Sequence, residues 1–230
     1  MADPTEGPFA KPHPPGASPK AAEQFENIER QAQAAHLGMW VFLASEILFF
    51  SGLFALYSAY RIEHPAGFGL GVEHNTIVYG SLNTAVLLAS SYTAALAVHE
   101  LRLGKNRQSA ILVASTVFLG LCFLVIKTLE YLKHFSDGIY PGGQGTFFAD
   151  HTEPGTKMFF TLYFCMTGLH ALHVMVGMGV LTFLLFKIAR RKIGDWAPHP
   201  LALGAVYWHL VDVVWIFLWP LFYLIPGNAR

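Results

Sequence analysis

The chain has 230 residues, of which 53% are hydrophobic and only 13% charged, against the roughly 25% charged residues of an average soluble protein. With a mean hydropathy of +0.42, the composition points to a membrane protein and excludes an ordinary soluble domain. Fifteen basic and fifteen acidic residues cancel, so no charge excess invites nucleic acid as a partner.

Residues 1–35 lack the apolar core of a secretory signal, so none is expected there. The first twenty, rich in Pro, Gly and Ala, are expected to form a disordered arm, partly cytoplasmic helix towards its end, where AAEQFENIERQAQ has helical spacing. Five apolar segments follow: Leu37 to Tyr60, Thr76 to Val98, Ala110 to Leu132, Met158 to Phe186, and Leu201 to Ile225. Each is near the ~20 residues that cross a bilayer's hydrocarbon core, and lipid leaves a lone segment little choice but helix. The expected architecture is therefore an all-α bundle of five transmembrane helices over residues 36–226. HPAGFG, GKNR, YPGGQG with EPG, and APHP supply the breaks between spans.

Ten Lys and Arg fall on the side shared by the N-terminus and the second and fourth loops, running from Lys11 to Lys192. Only Arg61, Lys133, Lys157 and Arg230 fall on the other. The positive-inside rule then puts the N-terminus in the cytoplasm and the C-terminus in the periplasm.

Within AAHLGMWVFLASEILFF, residues 34–50, a single carboxylate, Glu46, interrupts an otherwise lipid-like run. A rise of 1.5 Å per residue sets it about 14 Å deep, with His209 and Asp212 of the fifth span at about 12 and 16 Å. His173 of the fourth span comes at about 20 Å, and His170 one turn beyond it. An unpaired carboxylate there would cost several kcal/mol, so Glu46 is expected to face the bundle and pair. His170, His173 and His209 are all within reach by depth. A proton-related or lipid-headgroup site is the functional reading of this layer; the plain alternative is a polar contact that fixes helix packing. The i, i+3 spacing of His170 and His173 makes a mixed imidazole and carboxylate metal site conceivable. The several histidine boxes of a membrane di-iron enzyme are missing, however, and no metal is expected on this chain.

Lys127 and Glu130 read as a local ion pair whose lysine snorkels to the interface. Asn83 lies among Ser81, Ala85 and Ala89 on a small-residue face suited to close packing. Trp215, Trp219, Phe222 and Tyr223 read as interface anchors. Cys122 and Cys165 lie in apolar runs and read as small buried thiols. No haem-attachment CxxCH, P-loop, dinucleotide glycine pattern or nucleophile elbow occurs.

Five blocks in order, WVFLASEILFFSGLFALY, SLNTAVLLASSYTAALA, FLGLCFLVIKTLEYLKH, MTGLHALHVMVGMGVL and VYWHLVDVVWIFLWPLFYLI, resemble subunit III of the haem-copper terminal oxidases, chiefly cytochrome c oxidase. The resemblance covers about residues 36–225. It implies a subunit without haem or copper of its own, packed beside the oxygen-reducing, proton-pumping catalytic subunit I and subunit II, which carry those cofactors. Glu46 matches the family's SE motif, His170 and His173 its LHxxHV motif, and Trp208, His209, Asp212 and Trp215 its YWHFVDxVW motif. By that resemblance the subunit holds phospholipid, supports proton uptake and protects its neighbour during turnover. A fourth subunit or a larger respiratory supercomplex are further partners it allows. Many members have seven helices; here only the five-helix part is present, as in quinol oxidases and several bacterial cytochrome c oxidases. The expected function is thus subunit III of a cytochrome c oxidase in a bacterial inner membrane. The alternatives are subunit III of a quinol oxidase, the related accessory of nitric oxide reductase and, more distantly, a stand-alone proton or solute transporter.

Overall fold

The computed structural model of the protein describes residues 28–142, 145–190 and 199–225. The expectation of a disordered arm over the first twenty residues lies outside them. Two compact units divide the chain, residues 1–41 and residues 42–230. In the first, the described residues are the opening turns of α1 (Ile28–Glu63), so the stretch from Ile28 runs without a break into the first apolar segment.

Six further helices follow: α2 (Pro65–His74), α3 (Ile77–Arg102), α4 (Asn106–Ser136), α5 (Phe147–Asp150), α6 (Thr156–Ala189) and α7 (His199–Trp219). A π-helical turn, Pro220–Leu224, closes the last of them. Five helices are long and apolar enough to cross a membrane: Arg30–Glu63, Ile77–Arg102, Asn106–Ser136, Thr156–Ala189 and Pro200–Leu224. The spans overrun the apolar segments at most ends, because backbone hydrogen bonding continues the helix into the polar turns beyond the hydrocarbon.

α3, α4, α6 and α7 form a four-helix bundle in which each helix lies against two others, in the order α3, α4, α6, α7 and back to α3. α3 and α4 are joined by the short turn Leu103–Lys105, which forces them antiparallel. α7 is the most enclosed span, with 56% of its apolar window buried, and the first span the least, with 11%. Large aromatic side chains of α7 and the π-turn fill the interior: Trp208, Trp215, Phe222 and Tyr223. Burial of Trp215, Phe222 and Tyr223 overturns their reading as interface anchors: Trp215 donates to Thr84 and Tyr223 to Glu130 inside the bundle, and Phe222 packs among the rings of Tyr57, Phe159 and Tyr163.

From residue 42 onward α1 packs by a narrow seam. Leu43, Phe50 and Tyr57, seven residues apart, are its buried side chains, while Leu48, Phe49 and Leu56 on the other faces stay exposed. With the partly buried Glu46, Leu53 and Tyr60 between and beyond them, the three buried side chains make the narrow two-in-seven stripe that one helix needs to lie against a neighbour. The rest of its apolar surface suits lipid or another protein.

HPAGFG, read as a plain break, opens a helix instead. Pro65 sits in the first turn of α2, where its missing N–H costs nothing. A Cβ on Gly67 would collide with the Pro154 carbonyl, so glycine lets α2 lie on the chain entering α6. Gly155 caps α6 at φ +92°, a conformation that strains other residues.

The π-turn opens carbonyls that the helix leaves unpaired, and three distant side chains supply donors. The Tyr57 hydroxyl donates to Leu221 O (2.6 Å), Asn75 Nδ2 to Phe222 O (2.9 Å) and Arg61 Nη2 to Ile225 O (2.7 Å). Arg61 Nη1 donates in turn to the Tyr57 hydroxyl at 2.9 Å. Tyr57→Phe is expected to destabilise the chain by about 1–3 kcal/mol, the range for orphaning a buried partner. A lower thermal midpoint in detergent checks this, and an unchanged midpoint contradicts it.

Candidate functional site

Glu46 and His173 meet across the α1–α6 seam, with Oε2 and Nε2 3.0 Å apart. Both side chains are about four-fifths enclosed, at 18% and 19% exposure. The other ring nitrogen fixes the chemistry. His173 Nδ1 lies 2.8 Å from Leu169 O, a carbonyl that can only accept, so Nδ1 carries the hydrogen. A hydrogen bond between Nε2 and Oε2 then requires one more proton, on the carboxyl or on the imidazole. Moving that proton between them converts a neutral pair into an ion pair without changing the net charge. Phe50 packs edge-on against the His173 ring at 5.3 Å, and the Tyr207 hydroxyl donates to His173 O at 3.1 Å. The first contact seats the ring against α1, and the second ties α7 to the backbone of α6 at the same residue.

The other two histidines within depth of Glu46 point elsewhere. His170, fully buried, lies against Trp215 (centroids 5.2 Å apart) and edge-on to Phe123 (5.5 Å), with neither ring nitrogen hydrogen-bonded. His209 Nδ1 is 2.6 Å from the Ser91 hydroxyl of α3. Asp212 is buried beside Ser91, the serine that also meets His209, and Asn83 is buried with neither amide atom partnered. Depth brought these residues to one layer, whereas helix rotation separates them: only His173 reaches Glu46. Trp208 Nε1 donates to Ser90 Oγ (3.0 Å) and Trp215 Nε1 to Thr84 Oγ1 (3.1 Å), which tie α7 to α3.

Lys127 does not snorkel. It is 2% exposed and donates to Glu130 Oε2 (3.0 Å), the Tyr163 hydroxyl (2.9 Å) and the Tyr223 hydroxyl (2.7 Å). Both phenols donate onward to Glu130 Oε1, at 2.9 and 2.6 Å. Three ammonium hydrogens, two hydroxyls and one carboxylate thus close on themselves with every donor used. The rings of Tyr131, Tyr163, Trp215 and Tyr223 surround the ammonium at 4.6–5.4 Å. Helices α6 and α7 enclose the pair from the side, so the lysine stem has no open interface to climb towards. Tyr163 was missed in the sequence, and Tyr223 was read there only as an interface anchor. The signal available was an intramembrane Lys and Glu, which require hydroxyl partners from other spans.

Beyond the spans, His74 lies 3.5 Å from Asp137. Burial holds its imidazole below the ordinary value, against the opposing pull of the Asp137 carboxylate. Among the described residues no three His, Cys, Asp or Glu side chains converge as metal ligands.

Residues 25–226 match the family described as cytochrome c oxidase subunit III. Among curated relatives, quinol oxidase subunit 3 of Bacillus subtilis is 30% identical over 188 residues, covering 82% of this chain and 85% of its own. A probable quinol oxidase subunit 3 of Staphylococcus epidermidis is 28% identical over 206 residues, 89% of this chain and 95% of its own. The corresponding protein of Staphylococcus haemolyticus is 28% identical over 197 residues, covering 85% and 90%. With five apolar spans and a match over nearly its whole length, the chain belongs to the cytochrome c oxidase subunit III family of the haem-copper oxidases.

Proposed function

We propose that this chain is the accessory subunit III of a bacterial respiratory oxygen reductase that takes its electrons from quinol. The names of the relatives favour quinol over the cytochrome c expected from the resemblance alone. In this reading the chain sits in the inner membrane with its N-terminus in the cytoplasm, beside catalytic subunit I and subunit II. Haem and copper belong to those partners. The family match draws the reading away from a stand-alone transporter. Cytochrome c as donor remains the second reading, favoured by the family's own description.

The observation that carries a working role is the Glu46–His173 pair, one proton shared at the edge of the bundle. Such a pair holds and passes a proton without burying net charge, which suits a neighbour that pumps protons. Phospholipid is expected on the exposed apolar faces. What supports it is a groove of about 370 Å³ framed by Phe183, Phe186, Lys187 and Arg190, apolar below and cationic at its mouth.

Two experiments test this. Glu46→Gln keeps a donor for His173 Nε2 but cannot give up a proton, so the complex is expected to retain its subunits and lose sustained turnover several-fold sooner. Unchanged turnover lifetime contradicts the role assigned to Glu46. For the donor, oxygen uptake by the purified complex is expected with quinol and not with reduced cytochrome c. Uptake with cytochrome c, together with a dinuclear copper signal, establishes the second reading.

A further inference from the structure

Ser91 differs from the hydroxyls around it on α3. Thr84, Ser90 and Thr93 each donate to a carbonyl of their own helix, at 2.8, 2.7 and 2.9 Å, the usual fate of a hydroxyl inside a span. Ser91 turns to α7 instead, where its oxygen lies 2.6 Å from His209 Nδ1 and within hydrogen-bond reach of the Asp212 carboxyl. His209 and Asp212 are one turn apart on α7, so both side chains project towards the same hydroxyl. Asp212 is buried, whereas Ser91 and His209 are half-buried. The three therefore run from the bundle's surface to its interior, on helices other than the α1 and α6 that carry Glu46 and His173.

A hydroxyl has one hydrogen, so of two bonds it donates one and receives the other. In one arrangement Asp212 carries a proton and donates it to Ser91, which donates to a bare His209 Nδ1, and the ring's own hydrogen stands on Nε2. In the other, His209 Nδ1 donates to Ser91, which donates to the Asp212 carboxylate. When Asp212 passes its proton to the Ser91 oxygen and the hydroxyl passes its own to Nδ1, the first becomes the second. The ring is then an imidazolium, and the net charge is unchanged. The first arrangement buries no charge, and separated charges inside a span are costly, so it is the resting form.

We propose that His209, Ser91 and Asp212 form a second proton-holding relay, in which the buried Asp212 carboxyl exchanges its proton with the bundle surface through the Ser91 hydroxyl and the His209 ring. Infrared difference spectra of the intact complex, purified through this chain, test it. The carbonyl stretch of a protonated carboxyl is expected in the parent and absent from Asp212→Asn, whose amide keeps a donor for Ser91. In deuterated buffer that band is expected to shift several-fold more slowly in Ser91→Ala and in His209→Phe than in the parent. Ser91→Thr, which keeps the hydroxyl, is expected to exchange at the parent rate. If Asp212→Asn removes no carboxyl band, the resting form is wrong and the proposal falls. Parent-rate exchange in both Ser91→Ala and His209→Phe overturns the relay and leaves only a structural hydrogen bond. Should Ser91→Ala fail to assemble, His209→Phe carries the same test, since Ser91 and Asp212 still bond to each other. None of these readouts depends on the electron donor or on Glu46, so the relay and the role given to the Glu46–His173 pair fail separately.

Discussion

Lys127→Met is expected to destabilise the chain by about 3–5 kcal/mol, the range for breaking a buried pair by removing one partner. The substitution keeps the stem's volume and its contact with Tyr131, Tyr163, Trp215 and Tyr223, so lost packing is not the cause. What remains is the Glu130 carboxylate, 1% exposed, with two phenol donors and no cation. Glu130→Met is expected to cost a similar amount by leaving the ammonium alone. The double variant distinguishes this from a general intolerance of change. With neither charge present there is nothing uncompensated to bury, so its loss is expected to fall well below the sum of the two. Thermal midpoints of the three variants in one detergent check it, and additive losses contradict the closed arrangement.

Trp208→Ala is expected to destabilise the protein by about 3–5 kcal/mol, as for other fully buried large side chains. The indole is the point where four helices meet. From α7 it donates to Ser90 on α3, and it lies over Gly120 on α4 and Gly177 on α6. A Cβ on Gly120 would stand 2.8 Å from the indole, and one on Gly177 2.9 Å, so both helices carry glycine to admit the ring. Gly177→Ala is accordingly expected to cost about 1–3 kcal/mol by overpacking. Combining Gly177→Ala with Trp208→Ala is expected to cost less than the two separately, since the added methyl enters the space the indole leaves. A Trp208→Ala midpoint near that of the parent protein contradicts this account of the core.

The spans and their number were readable because about twenty apolar residues in lipid admit one backbone solution. α2 was not, since the Pro and Gly of HPAGFG signal a break equally well when Pro starts a helix and Gly admits a neighbour. Depth along each span placed Glu46, His170, His173 and His209 in one layer. Rotation about each helix, which selects His173, depends on packing that no single span encodes. The same gap explains Lys127. Near a span's end a lysine normally reaches the interface, and only the phenols of α6 and the π-turn, supplied by segments 36 and 96 residues away, hold it inside. Trp215 and Tyr223 were misread for a related reason. A ring with one polar atom suits a membrane surface, and it suits a bundle interior equally once another helix presents Thr84 or Glu130.

The central claim is that this chain works as subunit III beside a haem-copper catalytic subunit. Purification through a tag on this chain in mild detergent, followed by a visible spectrum of the reduced material and an inventory of its subunits, tests that most directly. Haem bands together with a large co-purifying catalytic subunit are predicted. A colourless chain purifying alone, in a detergent that keeps such complexes intact, would contradict the account and leave the Glu46–His173 pair to be explained by an activity of this chain by itself.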